Sequence, residues 1–341
     1  MSKNILLTGG AGFIGSHTVE EILKTTDMEI MLVDRLSYAG NLERLTSMDI
    51  WESEKKRVHF LYHDFRSKFN MYTKEKVDRF CPNYIVHMGA ETHVHNSLTF
   101  PHRFAEANVI GTLNMLDLAR EVGCEKFLYI STDEVYGPVS GDLGKALHKE
   151  GEPHRPSNPY SASKSGAEAF VHAYWKSYNV PMMITSTMNN FGERQDREKF
   201  IPKVIYNLWH KLEIPIHCEL DENENIIDIS SRCWLHARNH ANGIVFLLEK
   251  GEIGERYNIV GEWHNVFEVV EHISQIMSTY WQKGKDPVIN WLPFHKYSPG
   301  HDMHYGLDGT KMKELGWIPK LGYKESLKRT INWTSQHKDW M

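Results

Sequence analysis

With 341 residues the chain is too long for one small core and suits one large domain or two smaller ones. Its 41% hydrophobic and 24% charged residues are an ordinary globular composition, and a formal charge of -5 without long runs of either sign argues against a nucleic-acid surface. Four scattered cysteines (Cys81, Cys124, Cys218, Cys233) form no CxxC pair, so a reduced, cytoplasmic protein without a structural zinc is expected; no segment approaches the roughly 20 apolar residues of a membrane span.

Apolar runs alternate with helical spacing from the N-terminus onward. NILLTGG (4–10) reads as a strand, GSHTVEEILKTT (15–26) as a helix and EIMLVDR (29–35) as a second strand. VHFLYHDF (58–65), a short helix over YTKEKVDRF (72–80) and the strand YIVHMGA (84–90) continue the pattern. A long helix across 104–123 is closed by Gly123, and is followed by the strand KFLYIST (126–132), a helix across 160–179 and the strand PMMITSTM (181–188). Strands alternating with helices predict right-handed βαβ units and a Rossmann-type α/β fold with a doubly wound parallel sheet. Residues 1–185 are assigned to this dinucleotide-binding domain. Residues 186–341, with helices near 200–212, 239–250 and 266–282, are assigned mainly to a smaller, mixed substrate lobe, and parts of 226–260 are expected to return to the first sheet.

The first strand and helix are joined by Gly10-x-Gly12-x-x-Gly15, with Gly9 supplying a close variant of the same spacing. Glycines there let backbone approach a pyrophosphate, and the helix N-terminus offers free N–H groups. Gly9, Gly12, Phe13, Ile14 and Gly15 are therefore the candidate cofactor loop. Asp34 closes the second strand about 20 residues further on, where a carboxylate hydrogen-bonds a ribose diol. It repels a 2′-phosphate and so favours NAD, while Arg35 is the one neighbour that would suit NADP.

YISTDEVYG (129–137) starts as a buried strand and ends in two acids. An acidic pair is ordinarily a solvated loop tip. In a parallel sheet, however, sites lie outside the C-terminal strand ends, which is where this strand delivers Thr132, Asp133 and Glu134. Tyr160 and Lys164, four apart near a helix start, share one face. A free tyrosine has a pKa of about 10; a lysine ammonium beside it, with the positive nicotinamide, would favour the phenolate and make Tyr160 a usable base. The histidines His87, His93, His95 and His102 lack carboxylate-backed ligand spacing, and no metal site is expected from them.

Together, TGGAGFIGSH, DRLSYAGNLERL, GAETHVHNSLTFP, STDEVYG, NPYSASKSGAE, NNFG and GHDMHYGLDGTKMKELGW resemble the extended short-chain dehydrogenase/reductases, and among them the nucleotide-sugar 4,6-dehydratases of the dTDP-glucose type. The resemblance spans almost the whole chain, and the adjacent Thr-Asp-Glu is its specific part. It implies a tightly bound NAD and a dTDP- or UDP-hexose substrate. Tyr160, assisted by Lys164, would take the proton of the sugar 4-OH, with Thr132 bonded to that oxygen; Glu134 would remove the C5 proton and Asp133 would protonate the departing C6 hydroxyl. By the same resemblance Asp64 contacts adenine, Ala90 and Thr92 lie on the nicotinamide side, Asn108 stands near the cofactor, and His93, Asn190, Glu198, Lys199 and Arg232 contact substrate. It further implies a homodimer through a four-helix interface of helices 103–122 and 161–178, in which Met115, Leu116, Phe170 and Trp175 could lie. The alternatives are a nucleotide-sugar epimerase or reductase that does not use the two acids for elimination, and a non-catalytic NAD-binding sensor, which would typically lack the Tyr-Lys pair.

The substrate half departs from the family pattern. Ser186 replaces an arginine, Glu193 a proline, Cys233 an aspartate and His236 a tyrosine. His95 replaces an aspartate, while Ser298, Met303 and His304 stand where arginines are usual. Arginines clamp a diphosphate bidentately, so a different nucleotide, a different anchor such as Arg232 with Lys199, or a different kind of substrate are the readings these changes leave.

Overall fold

The computed structural model describes residues 3–139, 147–283, 286–297 and 299–341. Thirteen strands are seen among these residues: β1 (Asn4–Thr8), β2 (Glu29–Asp34), β3 (Val58–Tyr62), β4 (Tyr84–His87), β5 (Lys126–Ile130), β6 (Met182–Thr187), β7 (Asn189–Phe191), β8 (Ile214–Leu220), β9 (Ile226–Ile229), β10 (Ser231–His236), β11 (Arg256–Ile259), β12 (Glu262–Asn265) and β13 (Ile289–Pro293). Seven form one sheet in the order β11-β6-β5-β4-β1-β2-β3, parallel throughout. This is the doubly wound Rossmann-type fold expected from the alternation.

Strands covered on both faces read as unbroken apolar runs, and β4 and β6 are buried along their whole length. Side chains still alternate between faces. Ile5, Leu7, Leu128 and Ile130 pack into one layer with Val19 and Ile22 of helix Phe13–Thr25 and Ile244 and Leu247 of helix Ala237–Lys250. Leu6, Phe127 and Tyr129 face the other layer, against Met115 and Leu116 of helix Gly111–Val122 and Val171 of helix Pro159–Tyr178. Met115 and Leu116 are thus sheet-facing core, whereas Phe170 is 40% exposed. The long helix expected over 104–123 is interrupted: Ala105–Ile110 is π-helical, with regular α-helix resuming at Gly111.

The second lobe contains two three-stranded sheets, β12-β10-β7 and β13-β8-β9. Its own core joins Ile201 and Ile205 of helix Phe200–His210, Val269 and Ile273 of helix Val266–Trp281, and Leu327 and Ile331 of helix Tyr323–Gln336. Within 226–260, β11 lies in the large sheet; β9 and β10 belong to the small ones. No described helix is long and apolar enough to cross a membrane.

The order of the large sheet reverses between β1 and β4, and a crevice opens there. Its floor is glycine on both sides. Gly9, at φ +73°, would with a Cβ meet Gly89 Cα at 2.7 Å, so the loops after β1 and β4 approach this closely only because Gly9 has no side chain; a Cβ on Gly89 would meet the Phe65 ring at 2.5 Å.

Candidate active site

A cleft of about 790 Å³ runs from this crevice into the second lobe. Gly9, Gly12, Phe13, Ile14 and Gly15 line its first part. Gly12 caps helix Phe13–Thr25 with no side-chain hydrogen bond and no acid follows in the first turn, which leaves the terminal N–H groups available to an anion. A Cβ on Gly15 would stand 2.1 Å from Gly9 O. Asp34 lines the cleft from the end of β2, its Oδ2 accepting from Ala11 N at 3.1 Å and its Oδ1 from Leu36 N at 2.8 Å. Arg35 is engaged elsewhere, 2.5 Å from Glu91 Oε1 and 3.4 Å from Asp64 Oδ2. The cradle therefore fits NAD, with its carboxylate beside the loop and the adjacent cation held by two acids.

Arg44, only 1% exposed, fastens the loops around this cradle. Its guanidinium donates to Ala11 O, to Ala39 O at 2.6 Å, to Arg194 O at 2.9 Å and to Asp196 Oδ1 at 2.6 Å. One side chain thus joins the glycine loop, the ribose-side loop and a loop of the second lobe.

Ala90, Thr92 and His93 line the cleft on the loop after β4. Asn108 does not. It sits in the π-helical stretch, its Oδ1 accepting from Glu91 N at 2.8 Å and its Nδ2 donating to Glu91 O at 2.9 Å and Ser163 Oγ at 2.8 Å. It pins the loop after β4 to the helix that carries Tyr160. Asp64 is likewise outside the lining; Arg66 takes both of its carboxylate oxygens, and the two arginines outweigh burial and lower its pKa.

Beyond β5, Thr132, Asp133 and Glu134 converge with Tyr160 and Lys164 on the cleft. Thr132 Oγ1 donates to Asp133 Oδ1 at 3.0 Å. Asp133 Oδ2 is buried without a hydrogen-bond partner, a carboxyl with an uncommitted edge toward the cavity. Burial pushes Asp133 up to about 6. Burial, followed by the charge of Asp133, pushes Glu134 up to about 7. Two adjacent carboxyls disfavour joint ionisation, so the pair can offer an acid and a base together.

The Tyr-Lys pair differs from its expected arrangement. Lys164 Nζ donates to Ile130 O at 2.7 Å and lies 4.2 Å from the centre of the Tyr129 ring, under β5. Burial lowers its pKa to about 7. Burial and the Glu134 charge hold Tyr160 well above an ordinary phenol, with Thr132 acting the other way.

The substrate-side residues assemble in part. Asn190, Glu198, Lys199 and Arg232 all line the cleft, and His93 Nε2 is 3.8 Å from Glu198 Oε2 across it. Lys199 pairs with Glu198 at 3.2 Å, and Asn190 Oδ1 is a buried acceptor without a partner. Arg232 is largely committed: it donates to the carbonyls of Ser231, Met303 and Asp302 and lies over Tyr305. His304 turns to Ser231 Oγ and Asp228 instead of the cleft; Ser298 lies outside the described residues. Lys203, His301 and Tyr305, not singled out from the sequence, also line it. No group of three His, Cys, Asp or Glu that could hold a metal occurs among the described residues.

Two of the departures from the family pattern explain each other. Glu193 Oε2 stands 3.2 Å from His236 Nε2, and Glu193 Oε1 accepts from Arg329 at 2.8 Å and from Arg238 at 3.4 Å. Glu20 joins Arg238 at 2.8 Å and Arg194 at 2.5 Å, while His17 meets the Glu193 carbonyl at 2.9 Å. The cluster welds the first helix to the second lobe.

Fold and site define a dinucleotide-dependent enzyme whose sugar-sized cleft offers a tyrosine and an acid–base pair of carboxyls. The comparisons agree: the profile of the GDP-mannose 4,6 dehydratases matches residues 6–330, and the chain belongs to that family. It is 35% identical to dTDP-glucose 4,6-dehydratase of Escherichia coli, over 98% of this chain and 94% of that one. To dTDP-D-glucose 4,6-dehydratase of Homo sapiens it is 34% identical, over 97% and 90%. The structure of DesIV, a dTDP-glucose 4,6-dehydratase from Streptomyces venezuelae with NAD and TYD bound, superposes with a TM-score of 0.82 at 32% identity, covering 99% of this chain and 98% of that one.

Proposed function

We propose that this NAD-dependent nucleotide-sugar 4,6-dehydratase acts on dTDP-glucose and releases the 4-keto-6-deoxy sugar. The observation that carries the reading is the meeting of Asp133, Glu134 and Tyr160 in one cleft beside the glycine cradle. Gly9, Gly12, Phe13, Ile14, Gly15 and Asp34 would hold NAD, which when bound would accept a hydride from sugar C4 and return it to C6. Tyr160 Oη takes the 4-OH proton, and Thr132 holds that oxygen. The resulting ketone acidifies C5, whose proton passes to Glu134 while Asp133 protonates the C6 hydroxyl, which leaves as water. The sugar loses water with no net redox change.

An epimerase needs no such proton pair. Lys199 and the exposed Lys203 are the cationic side chains left to meet the diphosphate, since Arg232 is bound to backbone. We further read the protein as a cytoplasmic homodimer: Ile110, Phe170 and Tyr178 are exposed on the two adjacent helices, and the four cysteines are free.

The test is turnover of dTDP-glucose, UDP-glucose, CDP-glucose and GDP-mannose in D2O without added NADH. dTDP-glucose should give a 4-keto-6-deoxy product carrying deuterium at C5. Turnover of another nucleotide alone refutes the dTDP assignment, and no turnover of any refutes the dehydratase reading.

A further inference from the structure

We propose that Asn158 is a positioning residue of this reaction, one that orients Glu134, tunes its basicity and ties it to the substrate lobe. The inference rests on the reading of Glu134 as the C5 base. Asn158 is 5% exposed and its carboxamide is used at both ends. Oδ1 accepts from Ser161 N at 2.8 Å in a capping box that starts helix Pro159–Tyr178, two residues before Tyr160. The two amide hydrogens are divided between Glu134 Oε2 at 3.0 Å and Gly300 O at 2.9 Å.

That second bond reaches the turn of the substrate lobe that presents Pro299 and His301 to the cleft. The neighbouring Ser157 Oγ donates to Asp302 Oδ2 at 2.9 Å, so the same turn is held twice. Gly300, at φ +75°, lets its backbone lie against Asn158; a Cβ there would come 3.4 Å from Asn158 Cβ. Helix start, base and substrate-lobe wall therefore share one amide group.

The charged and titratable groups facing Glu134 are Asp133, Asp302, Arg232, Tyr160 and Tyr305. Asp133 and Asp302 disfavour its ionised form and Arg232 favours it. Asn158 is the hydrogen-bond donor to its side chain, and a donor to a carboxylate favours ionisation. Without that donor, Glu134 ionises at higher pH and turns more freely.

Asn158→Ser and Asn158→Asp both keep an N-cap acceptor and remove the Nδ2 amide group that reaches Glu134, the serine hydroxyl being a shorter side chain; the aspartate adds a like charge. The acid limb of the kcat–pH profile should move up by about one unit in Asn158→Ser, and further in Asn158→Asp. Each variant gives the same readout if the other fails to fold. An unmoved acid limb in a folded variant overturns the proposal, as does unfolding of both, which would make Asn158 a purely structural residue. Glu134→Gln separates this failure from that of the underlying reading. Intact turnover in Glu134→Gln removes the base assignment itself; lost turnover with an unmoved Asn158 limb removes only the positioning role.

Discussion

Glu193→Gln removes the charge of a buried carboxylate and leaves its shape almost unchanged. Glu193 is 2% exposed and faces His236, Arg238 and Arg329, so the variant leaves two guanidiniums without the carboxylate that balanced them. Breaking a buried pair from one side costs about 3–5 kcal/mol. Unfolding entropy of about 2.1 cal/mol/K per residue over 341 residues comes to roughly 0.7 kcal/mol/K, so the Tm should fall by about 4–7 °C at pH 7.5. The loss also has a pH signature. Burial would raise the Glu193 pKa, but His236, Arg238 and His17 outweigh it and hold the carboxyl well below the usual range. A depressed folded-state pKa means stability that is fully present above the unfolded value, about 4.3, and is lost as pH falls below it. Calorimetric scans from pH 7.5 down to 3.5 should therefore show the two proteins converging below about pH 4.3. A Tm within 1 °C of wild type at pH 7.5, or a gap that widens in acid, would refute the reasoning.

Two other outcomes are expected. Gly15→Ala forces a methyl into the Gly9 carbonyl and should abolish retention of NAD, read from absorbance of the purified protein at 260 and 280 nm; full retention would show that the loop opens at little cost. Phe170→Glu, on the exposed side of its helix, should convert the proposed dimer to monomer in sedimentation without changing the far-UV spectrum, and a persistent dimer would move the interface elsewhere.

What could be read from the chain was local in it. The glycine loop, Asp34 and the acids after β5 each follow a strand end by a few residues, and their role depends on that strand-turn-helix geometry. Asp64 and Asn108 came from resemblance alone; Asp64 pairs with Arg35 and Arg66, and Asn108 bonds Glu91 and Ser163. The orientation of Lys164 was not legible because its partner, Ile130 O, is 34 residues away. The pairing of Glu193 with His236 also depends on a fold that brings distant segments together. Short strands such as β7 and β12, three and four residues long, are too brief for alternation to register. Asn158 did leave a signal: an asparagine directly before Pro159 marks a helix start, though not the amide's second use.

The reaction assigned to this cleft returns its oxidant to the starting state in every cycle, so the protein has no need to exchange it. Arg44 suits that economy of motion. By joining three loops with one buried guanidinium, it ties the wall of the cofactor's cradle together, so that displacing any one loop breaks bonds to the other two.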